Sequence, residues 1–288
     1  IKNPFLFPHL FLINQFTHTS PITMKFFSLA AAATAVAQAS AAEPVSNQLL
    51  PSPTVKLNNG VEMPIVALGV WQYDNATATD AIQKGLRLGF THFDTAYNYN
   101  NQQGVAEALK NVKRSDFFLT TKTAPCMAGT PLDKCTSLTR EQLQYDIDAL
   151  QVDHVDLMLL HGTNSDFSSG CDQKACDLDY AQWQVYEEFY SKGKAKAIGV
   201  SNFCVSCLEC LLSKKDLKVK PVLNQIQYHV GMGSDSVTQS LLSELKNDDI
   251  LPQVLLLVLF WSNVSSRSLS STFFNCFFRL TRHWVTAS

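Results

Sequence analysis

The chain has 288 residues, 46% of them hydrophobic, with 23 basic and 25 acidic side chains and a net charge of −2. That balance gives no global attraction to nucleic acid or to an anionic membrane, and no basic cluster is interleaved with aromatics, so nucleic-acid binding is set aside. The apolar content is ample for a core, and the length allows one large domain or two small ones.

Residues 1–23 are rich in Phe, Leu and Pro without helical or strand period, and are expected to be a non-native leader. From Met24 the pattern changes. Lys25 supplies a basic start, Phe26 to Ala37 an apolar stretch, and Ala37-Gln38-Ala39 or Ala39-Ser40-Ala41 a small-residue cleavage site. Residues 24–42 therefore read as a cleavable secretory signal. They lack the arginines of a mitochondrial transit peptide and are short for a stable membrane span. The expected address is the secretory pathway, secreted or in the endoplasmic reticulum lumen, with the cytoplasm as the alternative. Cysteine usage agrees with an oxidising compartment. Cys126/Cys135 and Cys171/Cys176 lie in predicted loops, and Cys204, Cys207 and Cys210 cluster in a third, so short-range disulfides are expected with connectivity open. No nearby His or carboxylate completes a metal site around those three thiols, so no metal is expected. Asn75-Ala76-Thr77 is a glycosylation sequon.

Val55 to Met63 reads as a β-hairpin, with Asn59-Gly60 suited to a type I′ turn. Ile65 to Trp71 is a continuous apolar strand, followed by a helix with Thr79 as N-cap and Gly89 as its stop. A short strand from Phe90 to Asp94 opens into the turn Thr95-Ala96-Tyr97-Asn98-Tyr99, with a helix near Val105 to Leu109. Phe117 to Lys122 is the next strand. Thr139-x-x-Gln142 has the form of a capping box before a helix lined by Leu143, Ile147 and Leu150. Val155 to His161 is a strand, Tyr180 to Lys192 a helix stopped by Gly193, and Ala195 to Asn202 a strand. Val222 to Tyr228 follows, then a helix bearing Val237, Leu241 and Leu245. About six β-α units result, and strands apolar on both faces alternating with amphipathic helices mean a parallel sheet covered by helices.

The first strand is followed by no Gly-rich phosphate turn, which argues against a doubly wound nucleotide fold. A hairpin plug ahead of serial β-α units suits a (β/α)8 TIM-type barrel, here C-terminally incomplete. Around Pro252 the alternation stops. Val254 to Trp261 could make a seventh strand, but no seventh or eighth unit follows. Residues 254–288 are expected to be an aberrant tail, and the partial barrel to span 54–253.

The C-terminal ends of the predicted strands carry Trp71, Asp94 with Tyr99 beyond, Lys122, His161, Ser201-Asn202 and Gln225. Each alone is explained as well by structure: a capped turn, a solvated strand end, a loop hydrogen-bonder. Together they bring a phenol, an amine, a carboxylate and an imidazole to one barrel mouth, where such folds carry their chemistry. A buried ammonium favours the phenolate of a neighbouring tyrosine, and a carboxylate holds that ammonium charged. Bringing a phenol from about 10 to near neutrality needs about 4 kcal/mol of such stabilisation. The phenol can then protonate a carbonyl oxygen that the imidazole orients. Ser201, Asn202 and Gln225 offer the donors and acceptors a carboxamide requires.

Phe93-Asp94-Thr95-Ala96-x-x-Tyr99, Thr121-Lys122, Leu159-Leu160-His161, Ile198 to Phe203 and Asn224-Gln225-x-x-Tyr228-His229 resemble the aldo-keto reductase family in order and spacing, over about Val55 to Gln253. The resemblance implies an NADP(H)-dependent oxidoreductase, with NAD(H) as the alternative cofactor, reducing small aldehydes or ketones. Tyr99 would be the general acid, Asp94 and Lys122 would tune it, and His161 would orient the carbonyl. Ser201, Asn202 and Gln225 would hold the nicotinamide carboxamide, and Trp71 would wall the substrate pocket. Departures are Gly162, where the family carries an aromatic, and about Leu255, where it carries a stacking tyrosine. The basic residues that grip the 2′-phosphate have no counterpart, so the chain is expected to be inactive through truncation. The rival reading is a non-catalytic secreted barrel that binds or scaffolds. A barrel enzyme using Lys122 as a Schiff base lacks any phosphate-binding loop.

Overall fold

The computed structural model describes residues 52–165, 170–228 and 236–255. The expected leader, the signal segment 24–42, His229 and the tail beyond Leu255 lie outside them. No helix among the described residues is long and apolar enough to cross a membrane.

The hairpin pairs β1 (Thr54–Lys56) with β2 (Glu62–Pro64) in antiparallel register. Its turn differs from the expected type I′, which needs a left-handed backbone at both Asn59 and Gly60. Only Gly60 has one, at φ +89°, and Gly60 N donates to Leu57 O at 2.8 Å. This is the three-residue hairpin loop, with glycine at the left-handed position.

Seven parallel strands follow: β3 (Leu68–Gly69), β4 (His92–Asp94), β5 (Phe118–Thr123), β6 (Val155–Leu160), β7 (Ala195–Ser201), β8 (Leu223–Gln227) and β9 (Leu251–Leu255). They pair in sequence order into one sheet. With the helices that cover it, this is the parallel α/β architecture expected, as the partial barrel of the TIM type. β9 lies at one edge of the described sheet and begins at Leu251, ahead of the expected break. Pro252 is compatible with a strand at a sheet edge, where a missing N–H is tolerated.

The helices are α1 (Asn75–Arg87), α2 (Gln102–Leu109), α3 (Leu132–Ala149), α4 (Gln173–Ser191), α5 (Val205–Leu212) and α6 (Ser236–Asn247). Two expected caps move. α1 is capped by Asp74, whose carboxylate accepts from Thr77 N, while Thr79 lies inside the helix and bonds Asn75 O and Gly104 O. The Thr139–Gln142 pair lies in the middle of α3, which starts two turns earlier after Pro131. In both, a hydroxyl that reads locally as a cap is used instead to bond backbone within or between helices. Asn75 of the sequon is the first residue of α1 and accepts from Gly104 N at 2.8 Å.

The pleat sorts the side chains. On β5, Leu119, Thr121 and Thr123 face the helices, where Thr121 bonds Asp146 of α3 and Thr123 bonds Tyr186 of α4. Phe118, Thr120 and Lys122 therefore face the barrel interior. By the same alternation β6 turns Leu157 and Leu159 inward, β7 Ala197, and β8 Leu223. These pack with Phe118, Leu57 and Met63, so the hairpin closes the N-terminal end of the interior. Asn58 Nδ2 donates to Pro221 O and Asp249 O, and Asn59 Nδ2 to Lys196 O, tying the turn to the strand starts.

Cys126 is bonded to Cys135, and Cys176 to Cys210. The second bond joins α4 to α5, so Cys176 lies in a helix and pairs outside its local group rather than with Cys171. Cys171, Cys204 and Cys207 are free thiols.

Candidate active site

One or two pleat steps above the interior apolar layer, the same inward positions become polar: Asp94 on β4, Lys122 on β5, Ser201 on β7 and Gln225 on β8, with His161 directly after β6. All five are buried, Lys122 completely. Parity thus converts five strand ends into one cluster. Tyr99 comes from the loop, in a single 3-10 turn (Tyr97–Tyr99).

Lys122 Nζ donates to Asp94 Oδ1 in a buried ion pair and to Thr95 O at 3.0 Å. It also lies 5.2 Å from the centre of the Tyr99 ring. Asp94 Oδ2 accepts from Gln225 Nε2 at 2.9 Å. Tyr99 Oη stands 3.5 Å from His161 Nε2, and His161 Nδ1 stands 3.1 Å from Asn98 Oδ1. Asn202 Nδ2 donates to His161 O at 3.0 Å and to Ser201 Oγ at 3.1 Å, and Ser201 Oγ donates to Gln225 O at 2.9 Å. The expected tetrad and the three expected carboxamide binders are therefore linked through shared bonds. Trp71 is 44% exposed, and no hydrogen bond joins it to them among the described residues.

Burial raises the Tyr99 phenol, and Lys122 pulls it down by less, so the net direction is upward. This reverses the direction expected from the Lys122 charge alone. Burial opposes the Lys122 ammonium, but the Asp94 carboxylate and Tyr99 together more than offset it and hold the amine above its ordinary value. Burial, with Lys122 adding to it, holds His161 well below the usual imidazole range, so the ring is neutral at pH 7.

Three positioning residues were not visible in the sequence. Asn98 bears on the His161 tautomer: an amide oxygen facing Nδ1 favours the proton there, whereas the rotated amide favours it on Nε2. Asn101 is fully buried and donates to Val70 O at 2.8 Å and Tyr73 O at 3.0 Å while accepting from Thr95 Oγ1. It thereby ties the loop after β3 to the loop after β4. Gln102 shares its amide protons among Ala96 O, Tyr97 O and Asp146 Oδ1, holding the turn that carries Tyr99. The Asn/Gln richness of residues 98–103 was the only signal.

Gln225 Oε1 is buried without a hydrogen-bond partner among the described residues. An unmet acceptor at a 1% exposed residue is costly unless a ligand N–H meets it. A carboxamide donor fits that requirement, so the residues present are compatible with a nicotinamide group.

A sequence model of the Aldo/keto reductase family matches residues 65–252. Glyoxal reductase of Bacillus subtilis (strain 168) is 37% identical over 179 residues, which cover 61% of this chain and 58% of that protein. Methylglyoxal reductase DkgA of Escherichia coli (strain K12) is 38% identical over 181 residues, covering 62% and 59%. The chain thus spans 58% to 59% of the length of these relatives. A crystal structure of an aldo/keto reductase from Brucella melitensis superposes with a TM-score of 0.59 at 33% identity, over 70% of each chain.

Proposed function

The chain belongs to the Aldo/keto reductase family, and on that premise we propose that it is an oxidoreductase reducing small aldehydes or ketones with NADP(H). The observation that carries the reading is the buried Asp94–Lys122 pair beneath a phenol that also faces a neutral imidazole. Tyr99 keeps its proton at neutral pH, as a general acid must before it acts. When it gives that proton to a carbonyl oxygen, the phenolate left behind is stabilised by the Lys122 ammonium, which Asp94 keeps charged. His161 hydrogen-bonds and orients the same oxygen through Nε2–H, which requires Asn98 to turn its amide nitrogen toward Nδ1. NADP(H), if bound there, would supply the hydride. Ser201, Asn202 and Gln225 would hold its carboxamide, with Gln225 Oε1 as the waiting acceptor. Trp71 would wall the substrate side. Since glyoxal and methylglyoxal reductases are among the relatives, 2-oxoaldehydes are the first substrates to try.

The test is loss of NADPH absorbance with methylglyoxal, alongside fluorescence titration of NADPH and NADH. Tyr99→Phe should abolish turnover and spare cofactor binding. Failure of the protein to bind either cofactor would leave the barrel as a binding scaffold. For the address, we propose the secretory pathway, on the segment 24–42. N-terminal sequencing of protein recovered from the medium checks it, and an uncleaved start near Met24 overturns it.

A further inference from the structure

Beside the nicotinamide end of the site, the chain from Phe203 enters α5 with Cys204 as its N-cap residue and Cys207 one turn on. Their sulfurs lie 3.0 Å apart. Cys204 is partly exposed and Cys207 is 1% exposed. Beneath Cys207 lies a polar chain: Thr163 Oγ1 donates toward Cys207 Sγ at 3.3 Å and toward Asp179 Oδ2 at 2.6 Å, while Cys207 Sγ donates to Ser165 Oγ at 3.5 Å. Asp179 is buried on α4 and so was invisible from the local spacing of the thiols. Its Oδ1 also accepts from Asn164 N and Nδ2, both at 2.7 Å. Cys171 is the third thiol, its sulfur within 4.8 Å of Cys207 Sγ and of an Asp179 oxygen.

The geometry points to a redox-active dithiol: we propose that Cys204 and Cys207 exchange reversibly with low-molecular-weight disulfides, independently of carbonyl reduction. A partly exposed attacking thiol at a helix start, a buried resolving thiol three residues later, and a buried carboxylate behind it are the elements such exchange needs. The Cys204 thiolate attacks one sulfur of the small disulfide, forming a mixed disulfide and expelling one thiolate. With the Thr163 hydroxyl turned toward Asp179, Cys207 then passes its proton through Thr163 Oγ1 to Asp179, which gives it up to the second expelled thiolate. The Cys207 sulfur attacks Cys204 Sγ and expels that second thiolate. Two electrons leave the protein dithiol and reduce the small disulfide to two thiols, and the released protons end on those thiols. The neighbouring Cys207 thiol pulls Cys204 below the usual thiol range, against burial, while Cys204 and burial push Cys207 up, which separates attacker from resolver. The bond from Cys176 to Cys210 anchors α5 at its other end, so only the first turn of the helix has to adjust.

The full-length protein is equilibrated in glutathione buffers of graded thiol-to-disulfide ratio, acid-quenched, alkylated and mapped by mass spectrometry. A Cys204–Cys207 bond should form and break reversibly while Cys126–Cys135 stays intact. At about pH 6 iodoacetamide should modify Cys204 about tenfold faster than Cys171, the thiolate gain being partly offset by lower nucleophilicity. Cys207→Ser should leave glutathione trapped on Cys204. The proposal is overturned if Cys204 reacts no faster than Cys171 in the unaltered protein, or if oxidation joins Cys171 to Cys207 as a fixed bond. It is equally overturned if zinc alone binds one equivalent that Cys171→Ser removes, which would make the cluster a metal site.

Discussion

Replacing Asp94 by Asn removes one charge and almost no volume, and its consequence can be worked from the surroundings of Lys122. The side chain of Lys122 is 0% exposed and that of Asp94 5%. Without the carboxylate the ammonium loses its counter-charge and keeps, among the described residues, Thr95 O at 3.0 Å and the face of Tyr99 at 5.2 Å. Leaving a buried charge without its partner costs about 3–5 kcal/mol. The new amide also sets a donor or an acceptor wrongly against either Lys122 Nζ or Gln225 Nε2, both of which donate to Asp94. The sign with pH follows from linkage. In the unaltered protein Lys122 is held above its unfolded value, so its contribution is fully present below that value and is lost only as pH rises through the higher folded one. Stability from this group is therefore flat from about pH 6 to about pH 9. In Asp94→Asn burial outweighs the remaining pull of Tyr99 and depresses the amine, so the unfolded chain binds the extra proton and stability climbs with pH by up to about 1.4 kcal/mol per pH unit. Urea unfolding followed by circular dichroism over that range should show the gap between the two proteins narrowing as pH rises. Adding Lys122→Met should remove the slope. A gap under about 1 kcal/mol that does not change with pH would refute the buried-pair argument.

Asp146, buried against Thr121 and Gln102, is raised to about 7, with burial outweighing its hydrogen bonds. A carboxyl raised in the folded state favours folding below its unfolded value near 3.8 and loses that contribution as pH rises through about 7. Asp146→Asn should flatten that decline and stabilise the protein above it, and denaturation midpoints across the range measure this. Asn98→Asp presents only acceptors to His161 Nδ1, fixes the proton there and removes the Nε2 donor. Turnover should fall by about 10- to 100-fold while cofactor binding holds. A Cβ on Gly162 would meet only Pro125 Cγ, at 3.8 Å, so Gly162→Trp has room to enter. It should raise KM for bulky aldehydes more than for methylglyoxal. A Cβ on Gly199 would stand 2.8 Å from Leu223 O and 2.9 Å from Leu159 Cδ2. Since a strand carbonyl cannot step aside, Gly199→Ala should cost about 1–3 kcal/mol in denaturant unfolding.

The parallel architecture was legible because burial on both faces writes a strand as an unbroken apolar run, and β5, β6 and β7 do so. Their bounds fell within one residue of the reading at either end. β3 was read as seven residues and is two, because Ile65 and Val66 are about half-exposed and apolar character there does not report pairing. Caps failed for a related reason. Thr79 and Thr139 stand at helix-like starts, but Asp74 and Pro131 lie closer to the real ones, and a hydroxyl can serve a neighbouring helix as easily as its own. The disulfide from Cys176 to Cys210 spans 34 residues and joins two helices, a proximity that loop-by-loop counting does not contain.

The site divides along the same line. Asp94, Lys122, Ser201 and Gln225 were readable because a strand has parity: once the apolar layer is assigned, the inward polar residue at its C-terminal end is determined. Asn98, Asn101 and Gln102 sit in loop and first-turn positions with no parity, and nothing in their spacing says which carbonyl each will meet. The direction of the Tyr99 shift was beyond the sequence for a different reason. It is a difference between desolvation and the pull of Lys122, and both grow as the pocket becomes drier. Knowing that an ammonium is near fixes the sign of one of them only. In the folded chain burial is the larger, so Tyr99 rests as a phenol, and under the proposed mechanism the ammonium would act on the phenolate left by proton transfer. A lysine placed to stabilise the product of proton transfer, with the acid left protonated at rest, is the arrangement that carbonyl reduction requires.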